Sequence, residues 1–241
     1  MQRLDNEQGL AKSTSILPVA TPLLVQQNKR SVKVGEEEIL KMVQRVFRSS
    51  NPDAPHMVVF SGIEHGDGCS WVCSHAAVTL AAQTNASVCA VDANLRTPSL
   101  GSFFELENSF GLSEALCQPG PIRNFAQQVS GSNLWILTTG ATPLSSPAAA
   151  LSSEAMQQRL ADLRNEFEYV LVDAPPTNLY ADAGTVGRLS DGVILVLQGD
   201  ATRREAAMKA KEALQMANVK LLGAVLNKRS YPIPHKVYSL F

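Results

Sequence analysis

A glycine-rich segment, SGIEHGDGCS at 61–70, follows the apolar run MVVF at 57–60 and precedes a helix-like stretch. Gly66 and Gly68 would let backbone N–H groups approach phosphate oxygens, and the start of a following helix would add partial positive charge. Ser70 stands where the hydroxyl of a P-loop binds Mg²⁺. The segment therefore predicts a nucleotide-phosphate loop made of Gly66, Asp67, Gly68, Cys69 and Ser70.

The segment lacks the cation that this chemistry needs. The P-loop pattern GxxxxGK, followed by Ser or Thr, has its lysine where this chain has Cys69 and its first glycine where this chain has Ile63. Residues 51–120 contain no lysine and a single arginine, Arg96, while Glu64 adds negative charge. Because phosphoryl transfer depends on positioning and on charge stabilisation, the segment predicts a phosphate-binding ancestry with impaired catalysis.

Two aspartates end apolar runs elsewhere in the chain. Asp92 ends SVCAVD at 87–92, and Asp173 ends YVLVD at 169–173. In a parallel sheet, ligands bind beyond the carboxyl ends of the strands, so both carboxylates are expected at that edge. An aspartate there fits a Walker B role, holding Mg²⁺ directly or through water. Turn formation or helix capping would explain either aspartate taken alone.

Short apolar runs alternate with helical patterns along the chain. Near-continuous β-branched runs separated by helices predict a mostly parallel sheet with helices on both faces, an α/β fold of the P-loop NTPase type. The expected strands are 57–60, 87–92, 134–137, 169–173, 192–197 and 221–226. The expected helices are about 69–83, 147–166, 179–188 and 202–216.

A further helix is expected from Glu36, because apolar residues then recur along one helical face. That stripe would pack on its own domain or contact another subunit, and it consists of Ile39, Val43, Val46 and Phe47. Residues 1–34 lack sustained periodicity and are predicted to be a flexible segment ahead of one domain, 35–241.

The bulk composition narrows the class of protein. Hydrophobic residues make up 45% of the 241 residues and charged residues 18%, which permits a substantial core. A net charge of -1 and no clustered basic tail disfavour a nucleic-acid partner. Four cysteines in or beside apolar stretches, and a polar N-terminus without a signal peptide, predict a cytoplasmic protein.

Four segments together resemble one family. They are SGIEHGDGCS, AVDANLRTPSLGSFFELENSFGLSEAL, YVLVDAPPTNLYADAGTVGRLSDGVILVL and LLGAVLNKRSYPIP. Their order is similar to the cytoplasmic domain of bacterial tyrosine kinases (BY-kinases) of capsule and exopolysaccharide export, which are relatives of MinD/ParA-type P-loop ATPases. The resemblance covers roughly residues 36–241. It implies ATP and Mg²⁺ as cofactors, tyrosine autophosphorylation, and control by a polysaccharide co-polymerase in the membrane.

The resemblance also implies roles for individual positions. The Walker A loop would be Gly66 to Ser70, followed by the Walker A′ positions Asp92 and Asn94. Arg96, close behind, is a candidate to help bind the nucleotide phosphates. Asp173 would be the Walker B carboxylate. The implied catalytic set is Asp92, Asn94 and Asp173, and the implied Mg²⁺ ligands are Ser70, Asp92 and Asp173.

Three tail positions complete the implied set. Asn227, after the last expected strand, would lie on the adenine side of the nucleotide. The family's C-terminal tyrosine cluster is reduced to Tyr231 and Tyr238, which are candidate phosphoacceptors. Packing or docking would explain the same two tyrosines.

The departures from the family pattern favour a pseudoenzyme. Cys69 replaces the lysine, and Asn94 replaces the second acid of Walker A′. The helical contact motif of the family keeps Arg45 and Arg48 but has Met42 in place of its leading acid, which leaves self-association open.

Two functions are compatible with these departures. The chain is predicted to be a catalytically impaired regulatory subunit that docks on a membrane co-polymerase or on a related kinase, and so reaches the inner membrane through a partner. The alternative is an active autokinase, or a residual ATPase, that takes a cation from elsewhere.

Cys69 invites two further hypotheses beside a plain small-residue substitution. A thiol in the first turn of a helix, among backbone amides, should have a lowered pKa and be reactive. Alternatively, Cys69 and Cys73 share a helical face and could bind a metal with His75, although His75 lies off that face and no fourth ligand is evident.

Overall fold

Seven strands form one sheet in the part of the chain that the structure describes. This computed structural model describes residues 29–48 and 54–228. The strands are β1 Met57–Gly62, β2 Val88–Asp92, β3 Gln127–Gln128, β4 Leu134–Leu137, β5 Tyr169–Ala174, β6 Gly192–Gln198 and β7 Leu221–Asn227. Their spatial order is β3-β4-β2-β5-β1-β6-β7, and only the β3–β4 pair is antiparallel among these strands. The predicted, mostly parallel α/β sheet is confirmed.

Helices cover both faces of this sheet. The α-helices of the described residues are α1 Lys29–Phe47, α2 Cys69–Gln83, α3 Leu112–Cys117, α4 Pro147–Leu151, α5 Glu154–Glu166, α6 Asp182–Gly187 and α7 Arg204–Met216. Short 3₁₀ helices span Leu100–Phe104 and Ile122–Phe125. Helices α1 and α2 pack on one face, and α3, α5, α6 and α7 pack on the other. No helix of the described residues is long and apolar enough to cross a bilayer.

The interior strand β1 shows why the strands are apolar on both sides. Met57 and Val59 belong to one buried cluster, whereas Val58 and Phe60 belong to the cluster on the opposite face. All four side chains are fully buried. A strand enclosed by helices on both faces must be apolar at every position, which explains its continuous apolar run.

The first helix differs from the prediction in length but not in packing. It begins at Lys29 rather than at Glu36, so residues 29–34 of the predicted N-terminal segment are helical, while residues 1–28 lie outside the described residues. Because the helix starts earlier, the acidic residues at 36–38 lie within it rather than at its start, and all three are exposed. Its apolar stripe packs against α2 with Ile39, Val43 and Phe47 buried, as expected for packing on its own domain.

The helix predicted over 147–166 is two helices. The hydroxyl of Ser153 accepts a hydrogen bond from the N–H of Met156 at 3.2 Å, which caps the start of α5 directly after α4 has ended. Serine side chains stabilise helix starts better than helix interiors, so the two serines at 152–153 interrupt the pattern. The helix predicted from residue 179 begins only at Asp182.

A buried acid fixes the loop that leaves β4 at the carboxyl edge of the sheet. Glu114 in α3 accepts hydrogen bonds from the backbone N–H groups of Gly111, Ala141 and Thr142 and from the Thr142 hydroxyl. Burial alone would raise the pKa of this carboxyl, but the bonds from Thr142 and Gly111 outweigh it and lower the pKa to about 2. The charged form of Glu114 therefore stabilises the fold.

We expect Glu114→Gln to lower the free energy of unfolding by about 2 kcal/mol at pH 7, or the Tm by roughly 4–8 °C. Because the folded-state pKa lies below the ordinary value of 4.5, the stabilisation is complete above that pH and is lost as the pH falls towards 2. Urea unfolding at pH 7 and pH 3 measures the difference. If the difference in free energy of unfolding between wild type and Glu114→Gln stayed the same at both pH values, the prediction would be wrong. The control is Glu166→Gln, at an exposed ion pair with Arg123, which should change the stability very little.

Candidate functional site

A cleft of about 450 Å³ opens where β1, β5 and β7 end. This volume lies within the range of small-molecule sites, and the carboxyl edge of a parallel sheet is where such sites form. Its lining combines the glycine-rich loop with residues that follow β2, β5 and β7. The lining residues include Gly62, Gly66, Asp67, Gly68, Cys69, Ser70, Asn94, Thr97, Ser99, Phe103, Pro176 and Lys228.

The glycine-rich loop has a backbone that only glycine accommodates well. Gly66 and Gly68 have φ values of 89° and 82°, in the left-handed region. A Cβ on Gly68 would lie 2.4 Å from the side-chain nitrogen of Asn227, so the two residues are in direct contact. Gly68 precedes α2, whose first N–H groups have no acceptor within the helix. The loop thus has the backbone form of a phosphate cradle.

Asp67 stabilises the shape of this loop. One oxygen of its carboxylate accepts hydrogen bonds from the backbone N–H groups of Ile63 and Glu64 at 2.8 and 2.9 Å, and the side chain is buried. The carbonyl of Asp67 accepts a hydrogen bond from the Asn227 side chain at 2.8 Å. Asn227, predicted on the adenine side, therefore joins the end of β7 to the glycine-rich loop.

Asp173 is a buried carboxylate without a partner. It is 0% exposed, and neither of its oxygens has a hydrogen-bond partner among the described residues. The Cys69 thiol and the Ser70 hydroxyl lie near enough to lower its pKa, although neither meets hydrogen-bond geometry. Burial and the negative charge of Asp92 outweigh them and raise the pKa of Asp173.

The lowered pKa expected of a reactive Cys69 thiol is contradicted, although this half-buried side chain lines the cleft. Burial raises the pKa of this thiol well above its usual range, and the charge of Asp173 raises it further. These effects outweigh the positive partial charge at the start of α2, which would lower the pKa, so the protonated thiol predominates over the thiolate.

The metal hypothesis for Cys69, Cys73 and His75 has no geometric support either. His75 donates from Nδ1 to the Trp71 carbonyl at 2.7 Å. The described residues contain no cluster of three or more His, Cys, Asp or Glu side chains able to hold a metal.

Asp92 lies opposite Asp173 in the register of β2 and β5. Its two oxygens accept hydrogen bonds from the backbone N–H groups of Asn94, Ser99 and Leu100 at 2.9 to 3.1 Å. Burial still raises the pKa of Asp92. This carboxylate therefore holds the chain that follows β2 in a fixed turn.

The three predicted Mg²⁺ ligands come together only in part. Ser70 lines the cleft and accepts a hydrogen bond from the Ser99 hydroxyl at 2.8 Å. Asp92 and Asp173 lie behind it and are not among the lining residues. Asn94 does reach the cleft, where its side chain bonds to Thr97 at 3.1 Å.

Arg96, predicted to help bind phosphate, is engaged elsewhere. Its Nε donates to Asp182 Oδ2 at 2.8 Å, and its guanidinium lies 4.1 Å above the Tyr180 ring. It is not among the residues that line the cleft. The candidate phosphoacceptors Tyr231 and Tyr238 lie outside the described residues.

Lys228 is the cleft residue that the sequence did not reveal. Its ammonium donates to the Gly66 carbonyl at 2.5 Å, and the residue is exposed. Among the described residues that line the cleft, it is the one lysine or arginine. The sequence places it directly after Asn227, but nothing in local spacing connects it with a loop 162 positions earlier.

The residues present fit Mg²⁺ better than they fit a triphosphate. A buried carboxylate without a partner and a hydroxyl on the cleft, Asp173 and Ser70, are oxygen ligands of the kind that Mg²⁺ uses, together with waters and phosphate oxygens. The cradle formed by Gly66 and Gly68 fits phosphate. The thiol of Cys69 supplies no charge for the terminal phosphoryl group.

Comparisons with known proteins show which proteins this chain resembles. No protein-family model matches the chain. Over 162 residues it is 36% identical to tyrosine-protein kinase YwqD of Bacillus subtilis (strain 168), covering 67% of this chain and 68% of the relative. Over 175 residues it is 27% identical to tyrosine-protein kinase CpsD of Streptococcus agalactiae serotype Ia, covering 72% and 75%.

Solved structures share the fold. The chimerical protein CapA2B2 matches with a TM-score of 0.73 at 25% identity, covering 81% of this chain and 85% of the other. The kinase domain of the Escherichia coli tyrosine kinase ETK matches with a TM-score of 0.77 at 22% identity, covering 88% and 85%. MinD of Pyrococcus horikoshii OT3, complexed with Mg-ADP, matches with a TM-score of 0.60 at 19% identity, covering 73% and 74%.

We expect Asp173→Asn to stabilise the protein without ligands, by about 1–3 kcal/mol at pH 8. Because the folded-state pKa of this acid is raised, the folded protein binds more protons than the unfolded chain, and stability falls as the pH rises above the ordinary value of 3.8. The gain should therefore shrink at pH 5, where less of the charge is present in the wild type. Thermal unfolding at both pH values measures it.

The matched control is Asp191→Asn. Asp191 accepts hydrogen bonds from the N–H groups of His56 and Met57, and its pKa is lowered, so its loss should destabilise the protein at pH 8. A destabilising effect of Asp173→Asn at pH 8 would contradict an uncompensated charge at that position.

Proposed function

The chain belongs to the bacterial tyrosine-protein kinase family, and from that membership we propose that it is a catalytically impaired, regulatory member. It would act in capsule or exopolysaccharide biosynthesis or export, the pathway that the motif resemblance implies. It would bind a Mg²⁺-nucleotide in the cleft and dock on a membrane co-polymerase or on a competent kinase. A cytoplasmic position at the inner membrane, held by that partner, follows from the same proposal.

The contact between Cys69 and the unpartnered Asp173 supports impairment. A P-loop lysine at position 69 would offset the charge of Asp173 and contact the β- and γ-phosphates. The neutral thiol does neither, and Asp173 raises its pKa further. Removing one preorganised donor from a developing charge costs on the order of 10²–10³ in rate. The loss is larger where the donor is also the site's cation.

The remaining side chains bind and orient but offer little chemistry. Mg²⁺, when bound, would supply positive charge to the phosphate oxygens, and Ser70 and Asp173 are the residues that would hold it. Asp92 keeps the following turn in place through three backbone N–H groups. Asn94 has an amide, bonded to Thr97, where a second acid would accept a proton from a tyrosine hydroxyl.

One observation favours the alternative, an active autokinase or a residual ATPase. Lys228 brings an ammonium group onto the glycine-rich loop, so the cleft has a cation although the loop itself has none. If that ammonium could reach the terminal phosphoryl group, the electrostatic deficit would be repaired. In this structure the ammonium donates to the carbonyl of Gly66, a residue three positions before Cys69 in the loop.

We expect purified protein incubated with Mg·ATP to show no phosphotyrosine above the level of its Asp173→Asn variant. The reason is the missing cation at the γ-phosphate end of the loop. Immunoblotting and mass spectrometry of both proteins measure phosphotyrosine. The peptides that contain Tyr231 and Tyr238 are the ones to inspect. Labelling that depends on Asp173 would sink the regulatory proposal and establish the autokinase.

We expect Cys69→Lys to tighten ATP binding at least tenfold. The new ammonium would reach the β- and γ-phosphates and would also offset the charge of Asp173. Isothermal titration calorimetry measures the affinity. Cys117→Lys, at an exposed cysteine remote from the cleft, is the matched control and should leave it unchanged. Equal affinities of wild type and Cys69→Lys would show that the residue at position 69 does not limit binding.

A further inference from the structure

Lys228 is held over the glycine-rich loop by its backbone and by its side chain. Its φ of 54° lies in the left-handed region, which few residues other than glycine, asparagine and aspartate adopt. Its Cε lies 3.5 Å from the place that a Cβ on Gly68 would occupy, and its ammonium bonds to the Gly66 carbonyl. The side chain therefore crosses both glycines of the loop.

This ammonium has no partner that would neutralise it. Its hydrogen-bond acceptor is a neutral carbonyl, and among the described residues no carboxylate forms an ion pair with it. An ammonium group has three donors, so it can keep the Gly66 carbonyl and still bind an anion. The side chain is exposed towards the cleft that it lines.

The position along the loop decides which part of a nucleotide such a cation would meet. In a P-loop, the backbone N–H groups of the glycine-rich turn surround the α- and β-phosphates, whereas the lysine before the hydroxyl reaches the β- and γ-phosphates. Lys228 lies at the first of these places, on Gly66 and Gly68. At the second place the chain has Cys69, with the carboxylate of Asp173 beside it.

We propose that Lys228 binds the α- and β-phosphates of a nucleotide, and that the cleft therefore binds nucleoside diphosphates about as tightly as triphosphates. This inference rests on nucleotide binding as part of the proposed function and names its ligand class. A γ-phosphate meets the neutral thiol of Cys69 where a P-loop has its lysine, and Lys228 is the one lysine or arginine among the described residues that line the cleft, so the γ-phosphate adds little to affinity. The cleft would report that a nucleotide is present, not that it is a triphosphate.

Calorimetry of the full chain with Mg·ADP and with Mg·ATP tests both parts. We expect the wild-type affinities for the two to agree within about threefold. Lys228→Asn removes the charge but keeps a residue that tolerates the left-handed backbone, and it should weaken both affinities about tenfold or more. Lys228→Arg restores a cation and should stay within about threefold of wild type. Lys209→Asn, at an exposed lysine of α7, should change nothing.

Each contrary result would overturn one stated part of the proposal. Wild-type affinity in Lys228→Asn would show that Lys228 is not the cation, and wild-type affinities for ATP and ADP that differ by more than about threefold would overturn the similar affinity for the two nucleotides. Both results leave nucleotide binding intact. Wild-type protein that binds neither nucleotide would overturn this inference and the nucleotide-binding part of the proposed function together. Lys228→Gly, which also accepts the backbone, and circular dichroism melts separate loss of charge from loss of fold.

Discussion

A carboxylate buried without a partner is the constraint on which this site depends. Asp173 lies fully buried near the carboxyl end of β5, where a charge is costly unless something pairs with it. Asp92 lies opposite and raises its pKa further. A cation at this edge would relieve both costs, and a P-loop lysine or a bound Mg²⁺ are the two that the fold can place there. This chain lacks the first, because position 69 is a cysteine.

The acids of the site differ in how the backbone satisfies them. Asp67 and Asp92 accept two and three backbone N–H bonds, which fix the loops after β1 and β2. Asp173 receives none among the described residues. Two carboxylates therefore shape the cleft, whereas the third has no backbone donor among the described residues. The same residue type thus fixes a loop or stays without a partner, according to the backbone donors nearby.

Most of the fold followed from the sequence because its signals are local. Strands enclosed on both faces are continuously apolar, so the runs at 134–137 and 169–173 marked β4 and β5 to within a residue. The weak signals were missed. The two-residue strand β3 has no pattern of its own, and the break before Ser153 depends on a single cap hydrogen bond. The hypothesis of a lowered pKa at Cys69 failed because the burial of the thiol and its neighbour Asp173, which is remote in sequence, are not visible in local spacing.

The sequence by itself determined the alternation of the main strands and helices, the family, and the absence of a lysine at position 69. Only the tertiary structure decided which cations serve the cleft. Arg96 pairs with Asp182, 86 positions away, and leaves the phosphate loop, whereas Lys228 reaches Gly66 from 162 positions away. Periodicity and motif spacing report on neighbours along the chain. The charge of a site is summed over residues that the fold brings together from remote strands.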